Sequence, residues 1–78
     1  MKVIVREEVE LGSGNTVNVY EYNSNDDLQK LIDNDVRWFK KVHIPIEECE
    51  VDDYEAIVCG GSYSIAYYVE EVTKWNQD

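Results

Sequence analysis

Apolar and polar residues alternate at both ends of the chain and take a helical period between them. From Lys2 to Leu11, Val3, Val5, Val9 and Leu11 share one side of an extended strand, and from Thr16 to Tyr22 so do Val17 and Val19. Facing Leu11 with Val17 and Val9 with Val19 keeps the valines off the acids, and predicts a five-residue connection, Gly12 to Thr16. Near the other end, Tyr54–Cys59 and Ser62–Val69 alternate around Gly60-Gly61. Pairing Cys59 with Ser62 predicts a hairpin whose two-residue turn uses both glycines at positive φ. Tyr54, Ala56, Val58, Tyr63, Ile65, Tyr67 and Val69 then form a core face. The opposite face, Glu55, Ser62, Ser64, Tyr68 and Glu70 around Ile57 and Cys59, is half-polar and open to solvent or a partner.

The middle of the chain reads differently. Ser24-Asn25-Asp26-Asp27 is an N-cap with an acid at the third helical position, and Asp26 and Asp27 suit the positive end of a helix dipole. Leu28, Leu31 and Ile32 continue as one apolar stripe. Val36 to Ile46 admits two readings. As a strand, Val36, Trp38, Val42, Ile44 and Ile46 alternate after a helix that stops at Asp33-Asn34-Asp35. As a helix, Leu28, Leu31, Ile32, Phe39 and Val42 share one longer element. Asn34 as a stop signal and the β-branched and aromatic content favour the strand, with Pro45 at its edge or end. The chain, with no repeat, linker or low-complexity tract, then reads β-β-α-β-β-β. This is an α+β fold in a single domain (residues 1–78), one antiparallel sheet with one helix packed on it.

Charge changes the picture most. Seventeen acids against seven basic residues give a net charge of −10 over 78 residues, and Glu47, Glu48, Glu50, Asp52, Asp53 and Glu55 fall in one short run. Such a surface repels nucleic acid and anionic membranes and attracts basic proteins over about a Debye length. An apolar fraction of 44% with two Trp, six Tyr and one Phe sets the chain apart from disordered acidic tails. Charges at Lys2, Arg6, Glu7 and Glu8 break any leader-like apolar run, and no stretch approaches the roughly 18 apolar residues of a membrane span. A soluble cytoplasmic protein is expected, with Cys49 (loop) and Cys59 (sheet) as reduced thiols.

The acidic run is either a solvated loop or a polyanionic docking surface. Same-face carboxylates on an extended chain recur at about 6.8 Å, a spacing resembling that of phosphates along a nucleic acid strand. Glu7, Glu8, Glu10, Glu21, Glu70 and Glu71 form a second set, which adds to an acidic face only if it converges with the first. No metal is expected: Asp33-Asn34-Asp35 and Asp52-Asp53 do not extend into a calcium loop, and His43, Cys49 and Cys59 fall short of a zinc set. Carboxylates around a thiol oppose nucleophilic catalysis, and Gly60-Gly61 lacks the lysine and helix of a phosphate cradle. No catalytic residue and no cofactor is assigned, and His43 is read as an ordinary strand residue. Tyr20, Tyr22, Trp38, Tyr67, Tyr68 and Trp75 lack the basic groove that base stacking needs. Tyr67 and Trp38 are read as core, and Tyr68, with Tyr22 or Trp75, as an exposed interface anchor. Arg37, Lys40 and Lys41 are read as local partners for acids.

In charge, length and compactness, the whole chain resembles the small acidic phage-borne inhibitors that occupy nucleic acid sites of host proteins, among them anti-CRISPR and anti-restriction proteins. The resemblance rests on composition and on no shared motif. It implies a non-enzymatic inhibitor, or nucleic-acid mimic, that acts in the cytoplasm of a bacterial or phage-infected cell by binding a basic, nucleic-acid-binding surface of another protein. Glu47, Glu48, Glu50, Asp52, Asp53, Glu55 and Tyr68 are the expected partner-binding residues. The alternative is a small intracellular interaction or structural domain whose acidity serves solubility. Convergence of the carboxylates on one face separates the two.

Overall fold

In a computed structural model that describes residues 1–72, six elements follow one another: β1 (Lys2–Glu10), β2 (Gly14–Glu21), α1 (Asn25–Lys41), β3 (Glu48–Val51), β4 (Glu55–Gly60) and β5 (Tyr63–Glu71). Trp75, read from sequence as a candidate anchor, lies outside the described residues. The strands form one antiparallel sheet in the order β2-β1-β5-β4-β3, and the α+β class and the β-β-α-β-β-β order match expectation. The third strand, however, lies inside the acidic run and not at residues 36–46.

Helix α1 begins where its cap predicts. The Ser24 hydroxyl accepts from the Asp26 N–H (3.3 Å), and the Asp27 carboxylate accepts from the N–H groups of Asn23 (2.7 Å) and Ser24 (3.3 Å). It runs past Asn34 to Lys41, so the strand reading of Val36–Ile46 is wrong. Packing is the physical reason. Leu28, Leu31, Ile32, Val36 and Phe39 recur on one helical face, and burial of that face outweighs a lone Asn and a local β-propensity. The helix closes at His43, whose φ of 62° ends the turn. His43 N–H reaches the Lys40 carbonyl (3.2 Å) and Ile44 N–H the Phe39 carbonyl (2.9 Å), the pattern of a Schellman motif. His43 therefore occupies a helix terminus and no strand.

Both hairpins keep the predicted faces and change the predicted register. In β1–β2, Val5 faces Val19, Glu7 faces Val17, Val9 faces Asn15, and the connection is the three residues Leu11–Ser13. Gly12 (φ 87°) and Gly14 (φ 102°) make this tighter turn accessible, and Leu11 drops out of the strand. In β4–β5, Cys59 faces Ser64 and Gly60 faces Tyr63, so the turn residues are Gly61 and Ser62. Positive φ occurs at Gly61 (58°) alone, as in a type II′ turn. The second glycine serves packing: a Cβ on Gly60 would stand 2.4 Å from the Pro45 carbonyl oxygen and 2.9 Å from the Phe39 ring. A slip by an even number of residues returns every side chain to its face, so alternation specifies faces and leaves register to the turn.

Helix and sheet enclose one core of Ile4, Leu28, Ile32, Phe39, Ala56, Val58, Ile65 and Tyr67. Trp38, expected inside, is half-exposed and meets Phe39 and Tyr63 edge-on at 5.3 and 5.1 Å. Tyr54, expected on the core face, is exposed just ahead of β4, with the Lys2 ammonium 5.3 Å from its ring centre. One polar cluster borders the core. Arg6 of β1 grips Asp35 of α1 with two hydrogen bonds (2.9 and 2.8 Å) and also reaches Glu8 (3.1 Å), while the Tyr67 hydroxyl of β5 donates to Asp35. Burial raises the Tyr67 pKa above its ordinary value, and its hydrogen bond to Asp35 raises it further.

Two outcomes follow from this packing. In urea denaturation, Gly60→Ala costs several kcal/mol, whereas Gly12→Ala, where a Cβ meets open space, costs about 1 kcal/mol for its positive φ. Equal losses at the two sites contradict the close approach at Gly60. A raised folded-state pKa at Tyr67 gives stability that is complete below the ordinary tyrosine pKa of about 10 and lost as pH rises toward the folded value. Denaturation at several pH values from about 9 to 12 therefore shows a steeper alkaline decline in the parent than in Tyr67→Phe.

Candidate acidic face

The helix covers one side of the sheet, and strand alternation sorts the acids between the two. Cross-strand rows on the uncovered side run Glu55–Tyr68–Val5–Val19, Glu50–Ile57–Ala66–Glu7–Val17 and Glu48–Cys59–Ser64–Val9–Asn15, with Glu70–Val3–Glu21 at one end. Six carboxylates, Glu7, Glu21, Glu48, Glu50, Glu55 and Glu70, share this face, and among the described strand residues no Lys, Arg or His points there. Within a row, residues on neighbouring strands lie about 4.8 Å apart, and successive rows lie about 6.8 Å apart along a strand. The glutamates stand mostly at the rim, Glu48, Glu50 and Glu55 towards the β3 edge and Glu21 and Glu70 at one end, around an apolar stretch of Val5, Ile57, Ala66 and Tyr68, with Glu7 between Val5 and Val9.

The sequence-predicted residues divide across it. Glu48, Glu50 and Glu55 stand on the uncovered face, and Glu55 lies directly opposite Tyr68, which is exposed. Glu47 precedes β3, its N–H bonded to the Cys59 carbonyl (2.8 Å). Asp52 and Asp53 sit in the β3–β4 turn and line a small cleft with Asn25, Leu28 and Gln29 beside the helix. The run is thus a strand and turn at the sheet edge and not a loop. Cys49 belongs to β3, and it faces the helix side while Cys59 faces away, so the two free thiols cannot meet.

Glu7, Glu21 and Glu70 join the face from the second acidic set, whereas Glu8, Glu10 and Glu71 point to the helix side. Their parity was readable in the sequence, but their neighbours depended on strand order. Glu8 pairs with Arg6, and Glu71 pairs with the N-terminal ammonium at 2.8 Å, which lowers its pKa.

The helix side is electrostatically mixed. A cleft of about 860 Å³ opens between α1 and β1, lined by Arg6, Glu8, Asp35, Arg37, Trp38 and Lys41. Arg37 donates to the Asn34 side chain, and no ion pair to Arg37, Lys40 or Lys41 occurs among the described residues, contrary to their reading as partners for acids. Lys40 and Lys41 instead lie in the last helical turn, where they complement the dipole. No group of three or more His, Cys, Asp or Glu side chains is arranged to hold a metal ion among the described residues, and none of their helices is long and apolar enough to cross a membrane.

Like charges on one face without counter-charges repel, so stability rises with added salt and falls at very low ionic strength. Urea titrations at several salt concentrations measure this. The response is expected to shrink in Glu7→Gln/Glu50→Gln, and a flat response in the parent contradicts it. No family model, curated protein or solved structure matches the chain.

Proposed function

We propose that the protein is a non-enzymatic binder that places its acidic sheet face on a basic, nucleic-acid-binding surface of another protein and blocks it, as a nucleic-acid mimic does. The carrying observation is the gathering of six glutamates on the side of the sheet that the helix leaves open, with no Lys, Arg or His on that face among the described strand residues. Packing of the other face sends charge of either sign to the open side, but solubility alone does not require all six charges there to be negative. The glutamates supply long-range attraction to a basic cleft, which raises the association rate. Tyr68, exposed among Glu55, Ala66 and Val5, supplies an anchor that slows dissociation. Glu47, Asp52 and Asp53 widen the negative field at the β3 edge. The partner is a basic protein, and neither nucleic acid nor an anionic membrane is bound directly.

The test starts with capture of partners from a host lysate at low and high salt, followed by kinetics on a purified basic partner. Reversing Glu48, Glu50 and Glu55 to Lys slows association about 10-fold or more and flattens its salt dependence. Tyr68→Ala instead speeds dissociation about 10- to 30-fold, with circular dichroism unchanged in both. Nucleic acid competes for the partner. A charge-reversed protein that associates as fast as the parent, with the same salt slope, leaves the acids merely solvated and overturns the reading.

A further inference from the structure

Strand β2 forms one edge of the sheet, and every one of its eight residues is exposed, Val17 and Val19 by more than half. Edge strands are normally short, charged or interrupted so that they do not pair with another chain. The opposite edge obeys this: β3 has four residues, two of them glutamates, and follows Pro45 closely. The β2 segment Gly14–Tyr20 has no charge, no proline and no bulge, and is rich in β-forming Thr, Val and Tyr.

Its backbone is also oriented for pairing. Tyr22 N–H bonds the Lys2 carbonyl (3.2 Å), and with the β1–β2 register this commits Gly14, Thr16, Asn18 and Tyr20 to β1. The N–H and C=O groups of Asn15, Val17, Val19 and Glu21 therefore point to the free edge.

We infer that this edge pairs with a second copy of the chain, antiparallel about a two-fold axis at Asn18, to give one continuous ten-stranded sheet. The register is self-complementary. With Asn18 opposite its own copy, Val17 faces Val19 and Asn15 faces Glu21 as hydrogen-bonded pairs, each formed twice, and Thr16 faces Tyr20 between them. All outward backbone groups from Asn15 to Glu21 are satisfied, two valine pairs leave water, and no like charges stand directly opposite. A slip by two residues in either direction loses a valine pair and leaves backbone groups unpaired. The two acidic faces then lie side by side on the same surface, which suits an extended basic partner.

Net charge opposes two copies meeting, so association strengthens with salt, opposite to the salt response of a basic partner. Sedimentation equilibrium from about 10 µM to about 1 mM protein, at salt where the Debye length is below about 8 Å, should show weight-average mass rising reversibly from 9.1 kDa toward twice that value. Val19→Pro removes an edge donor that β1 does not use, and Val17→Lys with Val19→Lys sets like charges opposite each other in the dimer at exposed positions. Both variants should stay monomeric, and the lysine pair keeps its circular dichroism even if the proline disturbs the strand. In a mixture of labelled and unlabelled protein, an interchain NOE between the Thr16 and Tyr20 α-protons reports the register, because within one strand they lie about 13 Å apart. A mass of 9.1 kDa throughout, or a dimer that persists in the folded lysine variant, overturns the inference.

Discussion

A single helix can cover only one face of a sheet, and this constraint organises the molecule. Seventeen helical residues span about 25 Å and bury one stripe. That stripe meets β1, β5 and β4 through Ile4, Ile65, Tyr67, Ala56 and Val58, and with Phe39 it completes the core. The Arg6–Asp35–Tyr67 cluster ties β1, α1 and β5 at the core's margin. A carboxylate at Asp35 sits on the buried face of α1 because a guanidinium and a phenol meet it there. Removing one partner of this part-buried pair leaves the other charge without its partner, at a cost below the several kcal/mol of a fully buried pair.

The uncovered face follows from the same geometry. With two-residue alternation, every acid at a given parity on β1, β5, β4 and β3 goes to one side. Glu7, Glu48, Glu50, Glu55 and Glu70 go to the open side and Glu8 and Glu10 to the helix side, where Arg6 answers Glu8. Repulsion among open-side acids lowers stability, and the apolar residues between them are poorly hydrated. Both features are disadvantages for an isolated domain and advantages for a surface that meets a partner.

Much of this was legible in the sequence, and the failures share one cause. The Ser24 cap, the core face of Ala56, Val58, Ile65 and Tyr67, and the glycine-centred hairpins were readable from local chemistry. The registers were not, because parity survives a slip of two or four residues and only the turn decides. The fate of Val36–Ile46 was not either: Trp38 and Val42 suggested a strand, but the helix had to reach Phe39, whose ring fills the space beside Gly60 and Pro45. Once α1 consumed that segment, the fifth strand had to come from Glu48–Val51, which turned a presumed acidic loop into an edge strand. The acidic face was half-legible: its members were named, but their convergence required the strand order that places β1 beside β5.

Methyl NMR tests whether the acidic, helix-free side of the sheet is the binding surface, as proposed. Val5, Val17, Val19 and Ile57 carry methyl groups on the open face, while Leu31, Val36 and Ile44 pack on the helix side. On titration with an arginine-rich peptide at physiological salt, the open-face methyls and the Tyr68 ring are predicted to shift together, saturably, while the helix-side methyls stay in place. Shifts centred on Leu31, Val36 and Ile44, or spread evenly over both sets, would place binding elsewhere than on the acidic face.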